Sequence, residues 1–247
     1  MKIKLFILST VWVLSGIFTS GCIVIDLNGC SAQSVKGSGN IIAESRQVPE
    51  FNKIRLEGRG KVVLTQGTQP SLEVTTDDNI LPSIEAEVKN EKLIISHEKG
   101  KNLRPTRLNY IITVKDLQGA SIAGSGDITG KSRFVSEDFY TYISGSGDIR
   151  LELNTAHMTS DIAGSGSIHL SGKADVHQAS ITGSGEINAF DLETQNASLS
   201  ITGSGDCKVN ASEKLQAKIT GSGDVLYKGH PQVNKTITGS GSVKDRN

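Results

Sequence analysis

The stretch Ile181-Thr182-Gly183-Ser184-Gly185-Glu186-Ile187 has seven copies between residue 122 and the C-terminus. The copies begin at Ile122, Ile143, Ile162, Ile181, Ile201, Ile219 and Ile237, so successive offsets are 21, 19, 19, 20, 18 and 18 residues. A repeat of about 20 residues is typical of a solenoid, in which each unit covers the apolar face of its neighbour. Because Gly-Ser-Gly in every unit would interrupt a helix, we expect each unit to consist of strands.

Aligning the copies places aliphatic side chains in two columns, since side chains alternate faces along a strand. The first column contains the isoleucines that begin each copy. The second column, six residues later, contains Ile128, Ile149, Ile168, Ile187, Cys207, Val225 and Val243. Branched aliphatic residues in both columns predict stacked, inward-facing strand positions. We therefore predict an all-β fold, a parallel β-helix (β-solenoid) with coils of about 20 residues.

The Gly-Ser-Gly between the two columns predicts a tight corner, because glycine reaches positive φ without steric cost. The serines at its centre would form a ladder of hydroxyls with the spacing of adjacent strands. We expect this ladder to satisfy backbone groups of the corner.

The N-terminal segment predicts export. Lys2 and Lys4 precede a short apolar core, and an apolar core of this length is more typical of a signal peptide than of a membrane span. Small residues lead up to Cys22 and resemble a bacterial lipobox, although Thr19 stands where leucine is usual. We predict a lipoprotein-type signal peptide over 1–21, with ordinary cleavage and a secreted product as the alternative.

In the lipoprotein interpretation Cys22 carries the acyl chains that hold the protein at a membrane, and residues 22–34 are a tether. The predicted location is the cell envelope, as an outer-membrane lipoprotein that is periplasmic or surface-exposed. Cys30 and Cys207 also lie in the exported chain. We expect two unpaired thiols rather than a disulfide, because Cys207 occupies an inward column and Cys30 lies in the tether.

The remaining chain, 35–247, is predicted to be one β-helical head domain. Weaker copies of the repeat occur at Lys36–Ile41 and Leu56–Val62, so the solenoid is expected to begin near residue 35. Residues 62–118 lose the glycine signature and retain strand-like runs, so we expect less regular coils there. The formal net charge is zero and the pI is near 7.0, which indicates no electrostatic preference for nucleic acid.

The Gly-Ser-Gly-Asp-Ile repeats, Phe51-Asn52-Lys53-Ile54, Leu93-Ile94-Ile95 and the leader together resemble the putative auto-transporter adhesin, head GIN domain family (DUF2807). The resemblance covers essentially residues 35–247. It implies a single-stranded right-handed β-helix on an exported, Bacteroidetes-type envelope protein. It brings no catalytic or ligand residues to carry over.

An acidic column follows the Gly-Ser-Gly corners and is predicted to face outward. Its members are Asp127, Asp148, Ser167, Glu186, Asp206, Asp224 and Ser242. Like charges on adjacent strands repel, so an uninterrupted acidic ladder would favour a bound cation such as Ca²⁺. Because Ser167 interrupts this column and basic residues stand nearby, we interpret it as a solvated column and expect no metal or cofactor.

Two other groups are candidate binding residues. A basic loop contains Lys99, Lys101, Arg104 and Arg107, which could hold a polyanion such as an acidic surface glycan. An aromatic cluster spans Phe134–Tyr142. Since Thr141 and Ile143 are assigned inward, Tyr140 and Tyr142 are expected to face outward, where they could stack on a sugar or a partner protein.

No catalytic or metal-binding motif is recognisable. His157 and His177 are expected to be neighbours on adjacent coils, but a zinc site would need more ligands. The many Gly-x-Gly matches are solenoid corners, and no Ser-His-Asp set, P-loop or dinucleotide fingerprint occurs. Coils of 18 to 21 residues leave no length for the walls of a cleft after residue 122.

The sequence therefore favours a non-catalytic envelope protein with a β-helical adhesin-type binding head. Its expected partners are the membrane, through the N-terminal lipid, and a surface glycan or an envelope or host protein, with no nucleic acid. A structural or stress-related envelope scaffold is the first alternative. A polysaccharide-active β-helix enzyme is the second, and its site would have to lie around residues 62–118.

Overall fold

The computed structural model describes residues 33–247. The predicted signal peptide over 1–21, Cys22, Cys30 and most of the predicted tether over 22–34 lie outside the described residues. Within the described part, no helix is long and apolar enough to cross a membrane.

The first half of the described chain consists of short strands. Their bounds are β1 Gln33–Lys36, β2 Ile41–Arg46, β3 Lys53–Gly58, β4 Lys61–Gln66, β5 Ser71–Asp77, β6 Ile84–Lys89, β7 Lys92–His97, β8 Lys101–Arg104 and β9 Leu108–Val114. One turn of 3-10 helix, Leu81–Ser83, contains Pro82 and precedes β6.

From residue 119 onward the strands follow the repeat. Their bounds are β10 Gly119–Gly124, β11 Asp127–Gly145, β12 Asp148–Gly164, β13 Ser167–Gly183, β14 Glu186–Gly203, β15 Asp206–Gly221, β16 Asp224–Lys228, β17 Gln232–Gly239 and β18 Ser242–Asp245. Strands β11 to β15 each end at the first glycine of a corner, and the next strand begins directly after the second glycine. The repeat unit of the sequence is therefore the repeat unit of the structure.

The coils stack in parallel and in register, so that equivalent residues of successive copies are neighbours. Ile162 pairs with Ile143 on one side and with Ile181 on the other. The predicted fold class is confirmed, since the chain forms a parallel β-solenoid of about seven turns with coils of about 19 residues. Burial of branched side chains in each coil against the next supplies its hydrophobic stabilisation.

The two predicted inward columns are buried along most of the solenoid. The first column is buried from Ile122 to Ile219 and the second from Ile128 to Val225. Ile237 was assigned to the first column and is 36% exposed. Its strand, β17, pairs with β15 and belongs to the last coil, so no further described strand covers the side chain.

The glycines of the corner are required by close contact between coils. Gly183 has φ 123°, and a Cβ there would collide with the carbonyl oxygen of Gly164. A Cβ on Gly185 would lie 2.7 Å from both the Gly166 carbonyl oxygen and Ile162 Cγ2. The exposed Ser184 donates its backbone N–H to the Gly164 carbonyl at 2.9 Å. The backbone of the serine, rather than the expected hydroxyl ladder, thus makes this corner bond.

Coils adjacent in space are not always adjacent in sequence. β3 pairs with β10, and β4 pairs with β11, so the coil of residues 53–66 stacks directly against the coil that begins at residue 119. On the other side, β3 pairs with β7 and β4 with β9. Residues 67–118 therefore lie on one side of the first glycine corner and are not stacked between it and the later coils.

The N-terminal end of the sheet is closed by antiparallel strands. β2 pairs with β5, β5 with β9 and β6 with β7, all antiparallel. The Gly-Ser-Gly at 37–39 does not form the first stacked corner, which corrects the expectation that coils begin near residue 35. A Cβ on Gly37 would instead collide with the Asp77 carboxylate, because this turn wraps around that buried side chain.

Cys207 replaces an aliphatic residue of the second column, between Ile187 and Val225 in register. It is a buried free thiol. Burial, assisted by the nearby charges of Asp206 and Glu186, raises the pKa of this thiol to about 12. A thiol that stays protonated behaves as a small apolar side chain, which fits its place in the core.

Candidate functional site

Tyr140 and Tyr142 lie on the outer face of β11, as strand alternation predicts. Their ring centroids are 6.3 Å apart and the ring planes are inclined by 13°, so the two phenols are stacked. Tyr140 is 41% exposed. Phe134 and Phe139 are buried in the core and take no part in this surface. The cluster predicted from sequence thus separates into a buried phenylalanine pair and an outward-facing tyrosine pair, of which Tyr140 is exposed and Tyr142 half-buried.

Polar side chains continue this outer face along the solenoid axis. Tyr140 is in register with Thr159, and Tyr142 with Asp161. The next coils carry Gln178 and Ser180, then Ser198 and Ser200, at the same two positions. A shallow depression of about 330 Å³ is lined by Thr159, Asp161, Gln178, Ala179, Ser180, Ser198, Leu199 and Ser200. We call the tyrosine pair and this depression the tyrosine face.

The ionisable groups of the tyrosine face are partly desolvated. Burial raises the pKa of the Asp161 carboxyl. Burial also raises the pKa of Tyr140, with the charges of Asp161 and Tyr142 acting in the same direction. The face therefore offers aromatic rings beside hydroxyl, amide and carboxyl groups, which is the combination that binds a sugar through stacking and hydrogen bonds.

The acidic column exists as a register column, because Asp127, Asp148, Ser167, Glu186 and Asp206 are paired in succession. Near its C-terminal end the carboxylates accept backbone bonds from the next coil. Asp206 accepts from Asp224 N–H and Asp224 from Ser242 N–H, each at 2.9 Å. The Ser242 bonds, with a smaller contribution from Lys244, hold the pKa of Asp224 below its usual range.

Basic side chains at some of the positions two residues further along the same strands offset part of this negative charge. Lys208 Nζ lies 2.7 Å from a Glu186 carboxylate oxygen, and Lys244 Nζ lies 3.6 Å from Asp224. Within the described residues, no group of three or more His, Cys, Asp or Glu side chains could hold a metal ion. The structure brings these acidic side chains into one column and gives several of them partners from the chain itself.

The basic loop lies at the edge of the two-stranded sheet formed by β1 and β8. Lys99, Arg104 and Arg107 are exposed. Lys101 Nζ lies 2.6 Å from the Glu98 carboxylate, so its charge is paired within the loop. Of these four basic residues, Lys101 also lines a cavity beneath the first glycine corner.

This cavity has a volume of about 270 Å³ and was not among the sites expected from the sequence. It lies beside the corner Gly58-Arg59-Gly60, where the loop after His97 replaces the tight turn that the later coils form. We call it the corner cavity. The available signal was the loss of Gly-Ser-Gly between residues 62 and 118, because a missing corner leaves the neighbouring corner without a stacked partner.

The histidines do not form a common site. His157 is exposed and its Nδ1 lies 3.0 Å from Asp138, whereas His177 is fully buried. In register His157 lies opposite Val176, and His177 lies opposite Met158. The expected neighbours therefore point to opposite faces of the sheet, which their parity along the strands already implied.

The family model described as putative auto-transporter adhesin, head GIN domain, matches residues 50–231. This chain belongs to that family. The resemblance found in the repeats is thereby confirmed for the larger part of the chain. Because adhesin heads act outside the cell, membership in the adhesin-head family indicates a location at the cell surface or in the envelope.

Three solved structures share this fold along their entire length. A putative adhesin from Bacteroides fragilis NCTC 9343 is 28% identical, with a TM-score of 0.80 over 86% of this chain and 100% of its own. A putative lipid binding protein from Parabacteroides distasonis ATCC 8503 is 28% identical, with a TM-score of 0.74 over 87% of this chain and 100% of its own. A putative adhesin from Parabacteroides merdae ATCC 43184 is 24% identical, with a TM-score of 0.70 over 87% and 100%. No match was found among curated proteins.

Proposed function

We propose that this protein is a non-catalytic, envelope-anchored binding head that contacts a surface glycan through the tyrosine face. The stacked pair of the exposed Tyr140 and the half-buried Tyr142 carries the proposal. Aromatic rings supply apolar area with few rotatable bonds, so little conformational entropy is lost when a sugar ring stacks on them. The adhesin descriptions of the family and of the solved relative from Bacteroides fragilis support a binding role.

The polar part of the face supports an extended ligand. Hydroxyl, amide and carboxyl side chains recur at the same two positions on successive coils, next to the tyrosines. Adjacent strands lie about 4.8 Å apart, so an oligosaccharide along the axis would meet a new polar pair at each coil. The regular parallel ladder holds these groups in a fixed arrangement before binding.

Binding of the purified protein to a glycan array, with and without Ca²⁺, tests this function. We expect Tyr140→Ala with Tyr142→Ala to weaken glycan binding at least about tenfold, because loss of stacking costs about 1.5 kcal/mol. The matched double variant to Phe keeps both rings and should retain most of the affinity. Glycan binding that is unchanged in the alanine variant would remove the tyrosine face from the proposal.

Two other outcomes identify the alternatives. Capture of a single envelope protein without glycan binding would favour the scaffold function. Release of unsaturated oligosaccharides from envelope or host glycans would favour a polysaccharide-active enzyme, and the non-catalytic proposal would then be wrong.

The lipid anchor in this proposal is attached at Cys22. This assignment rests on the sequence alone. Metabolic labelling with a radioactive fatty acid should mark the wild-type chain and should fail to mark Cys22→Ser. Cys30→Ser is the matched control and should remain labelled and membrane-bound. A labelled Cys22→Ser variant would contradict lipidation at this residue and would leave the proposed glycan site untouched.

A further inference from the structure

The glycine corners are joined by a one-way ladder of backbone hydrogen bonds. Ser146 donates its N–H to the Gly124 carbonyl, and Ser165 donates to the Gly145 carbonyl, each at 2.9 Å. The same bond recurs at later corners, always from the central residue of one corner to the first glycine of the preceding one. The ladder begins where Ser125 donates to the Gly58 carbonyl at 2.8 Å.

Arg59 is the central residue of that first corner, so its N–H has the position that the serine N–H groups have in the later corners. Among the described residues, no acceptor is bonded to this N–H. The reason is that the neighbouring coil forms no corner. The chain leaves the stack after His97, and Glu98 N–H bonds instead to the Ser83 carbonyl at 2.9 Å. Arg59 is exposed, so this N–H is free to donate to water or to a ligand that enters from outside the chain.

The parallel register aims this donor at the corner cavity. Gly58 pairs with Gly124, and Ser125 N–H points from its own coil toward Gly58. By the same geometry, Arg59 N–H points away from Ser125 and toward the side where the loop after His97 has moved aside. The corner cavity extends along that side, where Gly58, Arg59 and His97 line it, and it also reaches Gly124 and Ser125 of the next corner.

The lining of the cavity combines positive charge with an apolar wall. Arg59, His97 and Lys101 contribute nitrogen donors, and Glu57 is the acidic member. Glu57 accepts from Arg55 Nε at 2.7 Å, and Lys101 is paired with Glu98 at 2.6 Å. Among the described residues, Arg59 forms no ion pair. The apolar wall consists of the largely buried side chains Ile84, Leu103, Leu108 and Tyr110.

We propose that the corner cavity binds the carboxylate of a small acidic ligand. The Arg59 backbone N–H and guanidinium hold the carboxylate oxygens, with His97 beside them, and the apolar wall contacts the body of the ligand. Charge-assisted bonds of this kind are the strong ones, and a carboxylate matches the fork of a guanidinium. This site lies apart from the tyrosine face and does not depend on the proposed glycan function.

Two kinds of molecule supply such a carboxylate, namely an acidic sugar and a short-chain fatty acid. Titration of the ¹⁵N-labelled protein with N-acetylneuraminate, with octanoate and with chloride distinguishes them. We expect either carboxylate to move the Arg59 backbone amide proton downfield in a saturable manner, with chloride ineffective at equal ionic strength. A response to N-acetylneuraminate alone identifies an acidic sugar, and a response to octanoate alone identifies a fatty acid.

Arg59→Gln should weaken binding of the responding carboxylate at least about tenfold, because it removes a charged hydrogen-bond partner. Arg107→Gln removes the same charge from the neighbouring loop outside the cavity and should leave the affinity unchanged. Unaltered amide spectra elsewhere will establish that both variants are folded. The proposal is overturned if neither carboxylate shifts Arg59, or if the two variants weaken binding equally.

Discussion

His177 Nε2 lies 3.0 Å from the Ser160 hydroxyl inside the solenoid, and both side chains are fully buried. The other ring nitrogen, Nδ1, is buried without a hydrogen-bond partner. Along the same inward column, Met158 precedes His177 and Ala197 follows it. A neutral imidazole thus occupies an apolar column in which a charged one would be strongly disfavoured.

This pair predicts a loss of stability in acid. Burial lowers the pKa of His177 from 6.5 to about 4. Between these two values the unfolded chain binds a proton that the folded protein does not, so the free energy of unfolding falls as the pH decreases. The expected loss between neutral pH and pH 4 is about 3 kcal/mol from this group alone.

Replacing both partners should remove this part of the acid sensitivity. We expect Ser160→Ala with His177→Met to be about neutral or stabilising at pH 7, because two apolar groups replace a hydrogen-bonded pair and an unpaired nitrogen. At pH 4 the double variant should exceed the wild type by about 3 kcal/mol in urea unfolding. The exposed His157→Gln is the control and should follow the wild type. Identical pH profiles for the double variant and the wild type would refute the assignment.

The inward isoleucine column predicts that truncating one of its side chains leaves a cavity and lowers the free energy of unfolding. Ile181 is buried between Ile162 and Ile201 on adjacent coils. Ile181→Ala should lower the free energy of unfolding by about 2–5 kcal/mol, measured by urea denaturation. Thr182→Ala, one residue later on the exposed face, should change it by no more than about 0.5 kcal/mol. A loss near zero at Ile181 would contradict the column.

The structure of the glycine corner predicts that substitutions at two adjacent positions differ in their effect on the free energy of unfolding. Gly185→Ala should destabilise by roughly 1–3 kcal/mol, because the new methyl group meets the backbone and the isoleucine of the preceding coil. Ser184→Ala should be nearly neutral, since its side chain is exposed and its backbone N–H keeps its bond. Thermal and urea unfolding of the two variants would test this difference. Equal effects would mean that the corner tolerates a side chain.

The hydrogen bonds of Asp77 predict a second effect of pH, on the local stability of the N-terminal end of the described chain. Burial acts to raise the pKa of its carboxyl, but the Gly39 and Thr106 N–H groups, at 2.8 and 2.7 Å, outweigh burial and hold it below the usual range. The stability from these bonds is therefore present above the ordinary pKa of an aspartate and is lost as the pH falls through the lower folded value.

The Asp77→Asn variant should loosen the two segments that the carboxylate joins. We expect faster amide hydrogen exchange at residues 37–40 and 104–107, with little change in the later coils. Asp116→Asn, at an exposed position, is the control and should leave exchange unchanged. Exchange that is unaltered in the Asp77 variant would show that the turn is held by other contacts.

The regular coils were predictable because the same short pattern, branched aliphatic residues on either side of Gly-Ser-Gly, recurs about every 20 residues. Alternation placed Ile181 inside and Tyr140 outside, and the structure agrees with both assignments. The same parity rule also places His177 inward, because it lies four residues before Ile181 on the same strand. The exposure of Ile237 was not predictable from its column, because burial requires a further coil and not only the right parity.

The corner cavity depended on a contact that no local pattern encodes. The coil at residues 53–66 stacks on the coil that begins at residue 119 and, on its other side, on β7 and β9. The Arg59 N–H would have a protein acceptor only if the strand on the β7 side continued into a glycine corner, and it does not. Pairing over such separations is decided by the packing of the entire sheet. The arginine at the centre of Gly58-Arg59-Gly60, where the later corners have serine, does not by itself show which strand lies beside it.

The amino-acid sequence alone determined the all-β repeat, the glycine corners, the inward isoleucines and the family, because each follows from residues within one period. Tertiary structure alone decided the order of stacking, the antiparallel closure at the N-terminal end and the burial of Asp77 and His177 among their particular neighbours. The physical reason is that steric demands on glycine and the alternation of side chains act over a few residues, whereas the choice of a stacking partner minimises exposed apolar surface over the whole domain.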